Sequence, residues 1–466
     1  MTADKSSNSV SQAQPSQNPD KPPLPLWRKI ALGFVILAMF GVLCLLLAAF
    51  IAEKRLSAEI HKIAKAGEPT KFPEFVPLDK SAEDANKYYI LAVGQIRSSE
   101  ITNISQINAF YRTNMISLPT GQFPGDLREK VAEILNRAKP IFDNIDKGSQ
   151  LPLSQFDIGV LKGNQILKAR GDSVQGAVFL NSLRTLDLIL ANNPNAAADS
   201  IISSLKLLRI FDSFPTFFVQ GRKMISIGLI CSDIQLLLSR CSPSGEKLSQ
   251  IQTLLQQSFP ADSLKKSLIA ERILQLELAR NFLPKNIVSQ YLASEKFSIP
   301  ERFKMPPFTW HRMRFFLSSS KYLRDTAWLI KISSAPWPRP LDEVPDEKIS
   351  SAKPNSIIPN AVLFSRLCAD TIAAAQSTSL AIALERYHKQ KGKLPDTFTE
   401  ISPDCIESIP LDPFTGKSLL YTHDDSSFTV YSTGINRIDD KGALTPKQGE
   451  QAPLDTGITI RKSAAQ

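Results

Sequence analysis

Carboxylates in pairs, and thiols, are the side chains here whose chemistry can be named from their spacing. Asp424–Asp425 and Asp439–Asp440 stand in the turn-rich stretch near the C-terminus, and Asp455 follows in "PLDTGI". Paired carboxylates in turns either supply oxygen ligands to a hard cation or accept hydrogen bonds from nearby backbone amides. Asp424 and Asp425 read as the second kind, at the tip of a hairpin between "KSLLYTH" and "SFTVYST". Five cysteines are present. Cys44 lies in an apolar run, and Cys231, Cys241, Cys368 and Cys405 allow three pairings in an oxidising compartment. Cys231 and Cys241 on one helix stand ~15 Å apart at 1.5 Å per residue, too far to bridge. Cys368–Cys405 is the disulfide that falls within a single terminal unit. Buried free thiols are the favoured state.

Catalytic patterns are not among the motifs. His61, His311, His388 and His423 are scattered without metal spacing. Glu271 and Glu277 fall on different faces of one helix. The sequence holds no Gly-x-Ser-x-Gly, His-Glu-x-x-His, P-loop or Gly-x-Gly-x-x-Gly. The expectation is a protein that is not an enzyme. A hydrolase would have to work with residues that no motif marks.

The elements that carry these residues begin with "IALGFVILAMFGVLCLLLAAFIA", Ile30 to Ala52, 23 residues without a charge. About 20 apolar residues carry a helix across the hydrocarbon core. The run exceeds the ~7–15 apolar residues of a signal peptide, and Phe50 spoils a cleavage site before Glu53. It therefore reads as an uncleaved anchor. Leu56, Ile60 and Ile63 continue the helix for two or three turns, and Gly67 and Pro69 stop it. Ahead of the anchor, the Ser-, Gln- and Pro-rich tail is too polar to fold.

A chain of 466 residues needs more than one ordinary domain, and 43% apolar with 21% charged residues is globular composition. Net charge is uneven: residues 1–29 carry +2, residues 30–357 carry +10 and the rest carries −2. That excess suits lipid headgroups or an acidic protein, or it is a solvated basic face, the preferred reading. From Ser81 helical periodicity dominates. "DLREKVAEILNRAKPIFDNI" aligns Leu127, Val131, Ile134 and Leu135, and "GAVFLNSLRTLDLILANN" aligns Val178, Leu183, Leu186 and Leu190. Short loops with Asn-Asn-Pro, Phe-Pro or Pro-Ser-Gly predict helical hairpins packed side by side. Residues 301–332 interleave Arg302, Arg312, Arg314 and Arg324 with Phe308, Trp310, Phe315 and Phe316. This stretch fits a nucleic-acid surface, an interfacial helix or a core helix with basic side chains at its edge. The core helix is the favoured one, and no nucleic-acid partner is expected.

Beyond the Pro-rich residues 335–360, a long helix ends at Gly392, a natural C-cap. "LDPFTG" makes a turn, with Gly416 permitting positive φ, and two strands follow. A lone hairpin is marginal in water and needs that helix to lie on. These residues, "AIALERYHKQKGKLPDTFTEI" through "IPLDPFTGKSLLYTHDDSSFTVYSTGINRIDDKG", resemble the C-terminal domain of type II secretion major pseudopilins. The match covers about 80 residues. The whole arrangement resembles a broad set of uncharacterised bacterial single-pass envelope proteins. These share the "GEP" segment and an "L-R-x-L" helix, here Leu183-Arg184-Thr185-Leu186. Pseudopilins can bind calcium in the loop after the Tyr-Ser strand, so the resemblance implies Asp439, Asp440 and Asp455 as calcium ligands. The alternative, aspartates bonded to backbone amides, stays open.

The expected fold is mainly α: an N-terminal transmembrane helix, a helical-hairpin array and a small C-terminal α+β module of one long helix and a short antiparallel sheet. The divisions are a disordered tail 1–26, an anchor 27–52, a helical extension and extended linker 53–80, a helical domain 81–334, a Pro-rich linker 335–360 and the module 361–466. The expected role is structural or protein-binding, at the cytoplasmic membrane of a bacterial cell envelope, with the N-terminus inside. Its partners would be the lipid bilayer and an envelope protein. An accessory part in a type II secretion or pilus-like assembly is the alternative.

Overall fold

Apolar residues at nearly every position leave a helix with no polar face, and the first part of α1 (Leu26–Lys65), from Ile30 to Ala52, is such a stretch. The computed structural model describes residues 25–71, 85–96, 98–117, 124–153, 164–258, 262–279, 309–338, 356–424, 426–445 and 455–461. The tail expected over 1–26, apart from Pro25 and Leu26 at the start of α1, the extended part of the 53–80 linker and most of the 335–360 linker lie outside these residues, as does Asp425. The character of α1 changes along its length. Leu32, Phe34, Phe40 and Leu47 are exposed, whereas Ala52, Leu56, Ile60 and Ile63 are buried. That second set, spaced by three and four, is one stripe of a helix. Lys62 and Lys65 sit in the last turn, where positive charge suits the helix dipole. Gly67 then turns the chain at φ 69°.

The stripe packs on two helices far along the chain, α10 (Ser263–Ala279) and α11 (Thr309–Ile332). Leu276 and Ala279 of α10 and Met313, Phe316 and Leu323 of α11 close around it. Between α1 and α10 come α2 (Ala85–Gly94), α3 (Ser98–Ser117), α4 (Gly125–Arg137), α5 (Lys139–Ser149), α6 (Asn164–Leu190), α7 (Pro194–Leu207), α8 (Phe217–Arg240) and α9 (Gly245–Gln257). A 3₁₀ turn over Leu208–Ser213 joins α7 to α8. The short polar loops do what their residues suggest. Asn193, Thr216 and Ser244 accept the amides of Ala196, Val219 and Lys247 at the starts of α7, α8 and α9. In the "L-R-x-L" segment Leu183 and Leu186 are fully buried. Arg184 grips Asp146 of α5 through two hydrogen bonds of 2.9 and 3.0 Å. Thr185 bonds Ser200 of α7 at 2.8 Å.

The longest apolar-periodic helix of the C-terminal part is α12 (Ile358–Lys391). It too is long and apolar enough to cross a membrane, but 78% of its most apolar stretch is buried inside the protein. Gly392 caps it in the left-handed region, as its position predicts. On α12 lies a three-stranded antiparallel sheet in the order β1-β2-β3: β1 (Leu420–His423), β2 (Ser427–Ser432) and β3 (Thr456–Arg461). The sequence predicts the first two strands; β3 is an addition. Facing pairs Phe428–Ile460 and Val430–Ile458 bury one side of the sheet. Gly457 is needed there, because a Cβ would stand 2.2 Å from the Val430 carbonyl oxygen.

Leu183, Ile234, Leu248, Leu384, Phe428 and Ile458 belong to one continuous apolar core. Helices α8 and α9 pack on α12, and the Gln235 amide of α8 donates to the Thr459 carbonyl of β3 at 2.9 Å. The part of the chain read as a terminal module is thus built into the helical part.

Buried charge ties the helices in register. Arg112 of α3 pairs with Asp233 of α8, and Ser182 of α6 donates to the same carboxylate at 2.9 Å. On α10, Glu271 Oε1 accepts the amide of Phe217 at 2.9 Å and so caps α8 from a neighbouring helix. Burial pushes the Glu271 carboxyl up to about 7 from 4.5. A carboxyl whose folded pKa lies above its unfolded one weakens the fold as pH rises through that interval. The penalty is absent below pH 4.5 and complete above about pH 7, worth ~3 kcal/mol at full ionisation. Glu271→Gln keeps the acceptor oxygen and removes the ionisation. In urea unfolding the variant gains ~1–3 kcal/mol at pH 8 and stays near the wild type at pH 4.

Candidate functional site

The loop after β2 collects the aspartates that the sequence singles out. Asp455, just before β3, is 3% exposed. Its Oδ1 accepts the Asp440 amide at 3.3 Å and its Oδ2 accepts the Gly442 amide at 2.8 Å. Asp439 Oδ1 accepts the Tyr431 hydroxyl at 3.2 Å and the Lys441 amide at 2.8 Å. Asp440 Oδ2 accepts from Asn436 Nδ2 at 3.1 Å. Burial raises the Asp455 carboxyl above the usual range, with Asp440 and Asp439 adding to the rise and the two amides opposing it. The three carboxylates do come together. Calcium asks for six to eight oxygens around one point, whereas both oxygens of Asp455, Oδ1 of Asp439 and Oδ2 of Asp440 are turned toward amides and a phenol. Among the described residues no group of three or more His, Cys, Asp or Glu side chains is placed to hold a metal ion. Four of the six carboxylate oxygens thus accept hydrogen bonds within a turn pinned by its own aspartates.

Cys368 and Cys405, the pair within the terminal unit, are both free and buried. The carbonyl of Cys405 accepts from Arg386 at 2.7 Å, and Arg386 lies ~27 Å along α12 from Cys368 by helical rise. Each thiol is buried in a different apolar cluster. Cys241 caps the C-terminus of α8, and Cys231 lies within that helix. Two histidines that the sequence leaves unconnected, His388 and His423, line one cleft of ≈ 310 Å³ with Lys393, Asp424 and Ser427. They are brought together by the sheet lying back over the end of α12, a tertiary effect without a local signal. Asp424, at the cleft, accepts the Ser426 and Ser427 amides at 2.7 Å each and both serine hydroxyls at 2.9 Å. Those bonds hold its carboxyl down at about 2. It is a turn residue, as its sequence position suggests, and its oxygens are committed to that turn.

The other constellation is the junction of α1 with α10 and α11. Arg272 of α10 is fully buried and pairs with Glu68, while its Nη2 donates to the Pro69 carbonyl at 3.3 Å. The "GEP" segment is therefore a clasp: Gly67 makes the turn, and Glu68 and Pro69 meet the guanidinium. Along the helices Arg312 approaches Glu53 at 3.4 Å, and Arg324 approaches Glu59 at 3.7 Å. Both contacts advance in the same direction on α1 and α11, so the two helices run parallel. The buried face of α11 makes it the core helix expected, with its basic residues along the edge. Compared with known proteins, the chain matches no family model, no curated protein and no solved structure.

Asp455→Ala removes the acceptor of two amides in a buried loop. It lowers stability by ~1–3 kcal/mol, measured by urea unfolding. If the carboxylates act through amides, the wild-type midpoint is the same in excess calcium and in EDTA.

Proposed function

We propose that this chain is a single-pass membrane-anchored protein of the bacterial cell envelope, whose helical body serves as a structural element or binds another envelope protein. The observation that carries the reading is the two-part character of α1. Its first half exposes large apolar side chains on every side, and its second half is seated in the body of the protein. Exposed apolar surface of that extent needs cover, and a helix satisfies all its own backbone groups in lipid. Ile30 to Ala52 carries no charge, and Glu53, Lys54 and Arg55 follow at once. The N-terminus lies in the cytoplasm and the body outside the cytoplasmic membrane, as a single early anchor ahead of a large domain favours.

A binding or structural role is supported by how the ionisable groups are used. Asp233, Arg272, Asp424 and Asp455 are engaged in pairs, caps and turns. The full chain should remain in the membrane fraction after high-salt and alkaline carbonate washes. Added protease should cut the body in cells with an opened outer envelope and spare it in intact cells. Release by carbonate would overturn the anchor; protection in opened cells would reverse the orientation.

A further inference from the structure

Helix α11 begins beside the part of α1 where exposed apolar surface gives way to charge. Ala48, Ala49 and Ala52 of α1 belong to the same cluster as Met313, Phe315 and Phe316. Arg312 reaches Glu53, the first charged residue after the apolar run. Counted from Ile30, ~20 residues of rise span the hydrocarbon, which places its far boundary near Ala49. The opening turns of α11 are therefore level with that boundary. Their outward side chains are suited to it. Trp310 is 49% exposed and Leu317 39% exposed. Arg312 and Arg314 stand out on the same stretch of helix. Tryptophan prefers the headgroup layer, and arginine reaches phosphates while its stem stays in apolar surroundings. Because α11 runs parallel to α1, its N-terminal end, with its partial positive charge, faces the bilayer.

We propose that the first turns of α11, Trp310 to Leu317, lie in the headgroup layer of the bilayer that α1 crosses and bind anionic phospholipid through Arg314. The proposal rests on the anchor reading of α1. The helix then serves two surfaces. Met313 and Phe316 hold α1, and Trp310 and Arg314 hold lipid. The second exposed tryptophan of the helix, Trp328, stands ~27 Å farther along the axis and clear of the headgroups.

The test uses the full chain in vesicles of phosphatidylcholine brominated near the carbonyls, or near the chain ends for the probe at position 40, with and without one part in three of phosphatidylglycerol. One variant keeps Trp310 as the sole tryptophan, through Trp27→Phe, Trp328→Phe and Trp337→Phe. A second keeps Trp328 alone. A third carries Phe40→Trp as the sole probe and reports on α1 itself. The probe at position 40 and Trp310 should each be quenched about twofold, with Trp328 unchanged. Phosphatidylglycerol should deepen the quenching of Trp310, and Arg314→Glu should abolish that gain. Quenching at position 40 without quenching at Trp310 overturns the proposal and leaves the anchor standing. No quenching at position 40 overturns the anchor and the proposal with it. Equal quenching of Trp310 and Trp328 overturns the proposal, since the whole helix would then lie along the surface. Indifference to phosphatidylglycerol overturns the anionic preference.

Discussion

The continuity of α1 is the constraint on which the rest of the molecule depends. One hydrogen-bonded helix carries a stretch that has no polar face and a stretch that is a core stripe, without a break between Leu26 and Lys65. A helix cannot shed its backbone bonds at the point where the surroundings change, because amides left open in an apolar setting cost several kcal/mol each. The seat of Leu56, Ile60 and Ile63 against α10 and α11 therefore fixes the direction of the exposed half. Arg272 closes the far end by meeting Glu68 and Pro69. A buried guanidinium left without its carboxylate is strongly destabilising, so this clasp holds the helix exit in one place. On the proposed reading, the body is held to the membrane by a rod rather than a tether.

This explains why helices from distant parts of the sequence must meet. The stripe of α1 is buried on α11, in one cluster with Leu276 and Ala279 of α10, more than two hundred residues later. Glu53–Arg312 and Glu59–Arg324 are partly exposed and contribute little to stability on their own. Their value is in register. A sliding of α11 by one turn would separate both pairs and move Met313 and Phe316 off the small side chains of Ala49 and Ala52.

Local spacing made the helices readable. Leu56, Ile60 and Ile63, or Leu127 and Val131, mark their faces by period alone, and Gly392 marks an end. The strand β3 was not readable in that way. It is six residues long, begins at a threonine followed by glycine and returns to β2 only after the long loop that follows it. Gly457 is a weak strand residue on its own and a necessary one against Val430, which is a fact of pairing rather than of sequence. The continuity of the core across the Pro-rich segment is likewise tertiary. Nothing local tells that the apolar face of α12 meets α8 and α9 as well as the sheet. The aspartates illustrate the same limit. A pair of carboxylates announces that something positive or hydrogen-bonding is near, and only the fold decides between a cation and an amide. Here Asp455 is buried with two amides in reach, and each of its oxygens takes one.

The basic and aromatic stretch at α11 shows how one helix satisfies readings that look exclusive in sequence. A core helix and an interfacial helix both require apolar residues on one side and charge on the other. They differ in what lies beyond the ends of the apolar face. In α11 the buried stripe continues to Leu329 and Ile330, far from the start of the helix, so the core carries most of its length. At the start, the neighbour is the part of α1 that changes from bare to covered. A side chain there has protein on one flank and the surroundings of α1 on the other. If those surroundings are lipid, the positive charge concentrated between residues 30 and 357 need not be spread evenly to matter. A few arginines at the depth of the phosphates act at close range, whereas charges beyond ~10 Å from the surface are screened. Position along α11, more than the total charge of the domain, then decides which of its basic residues the membrane feels.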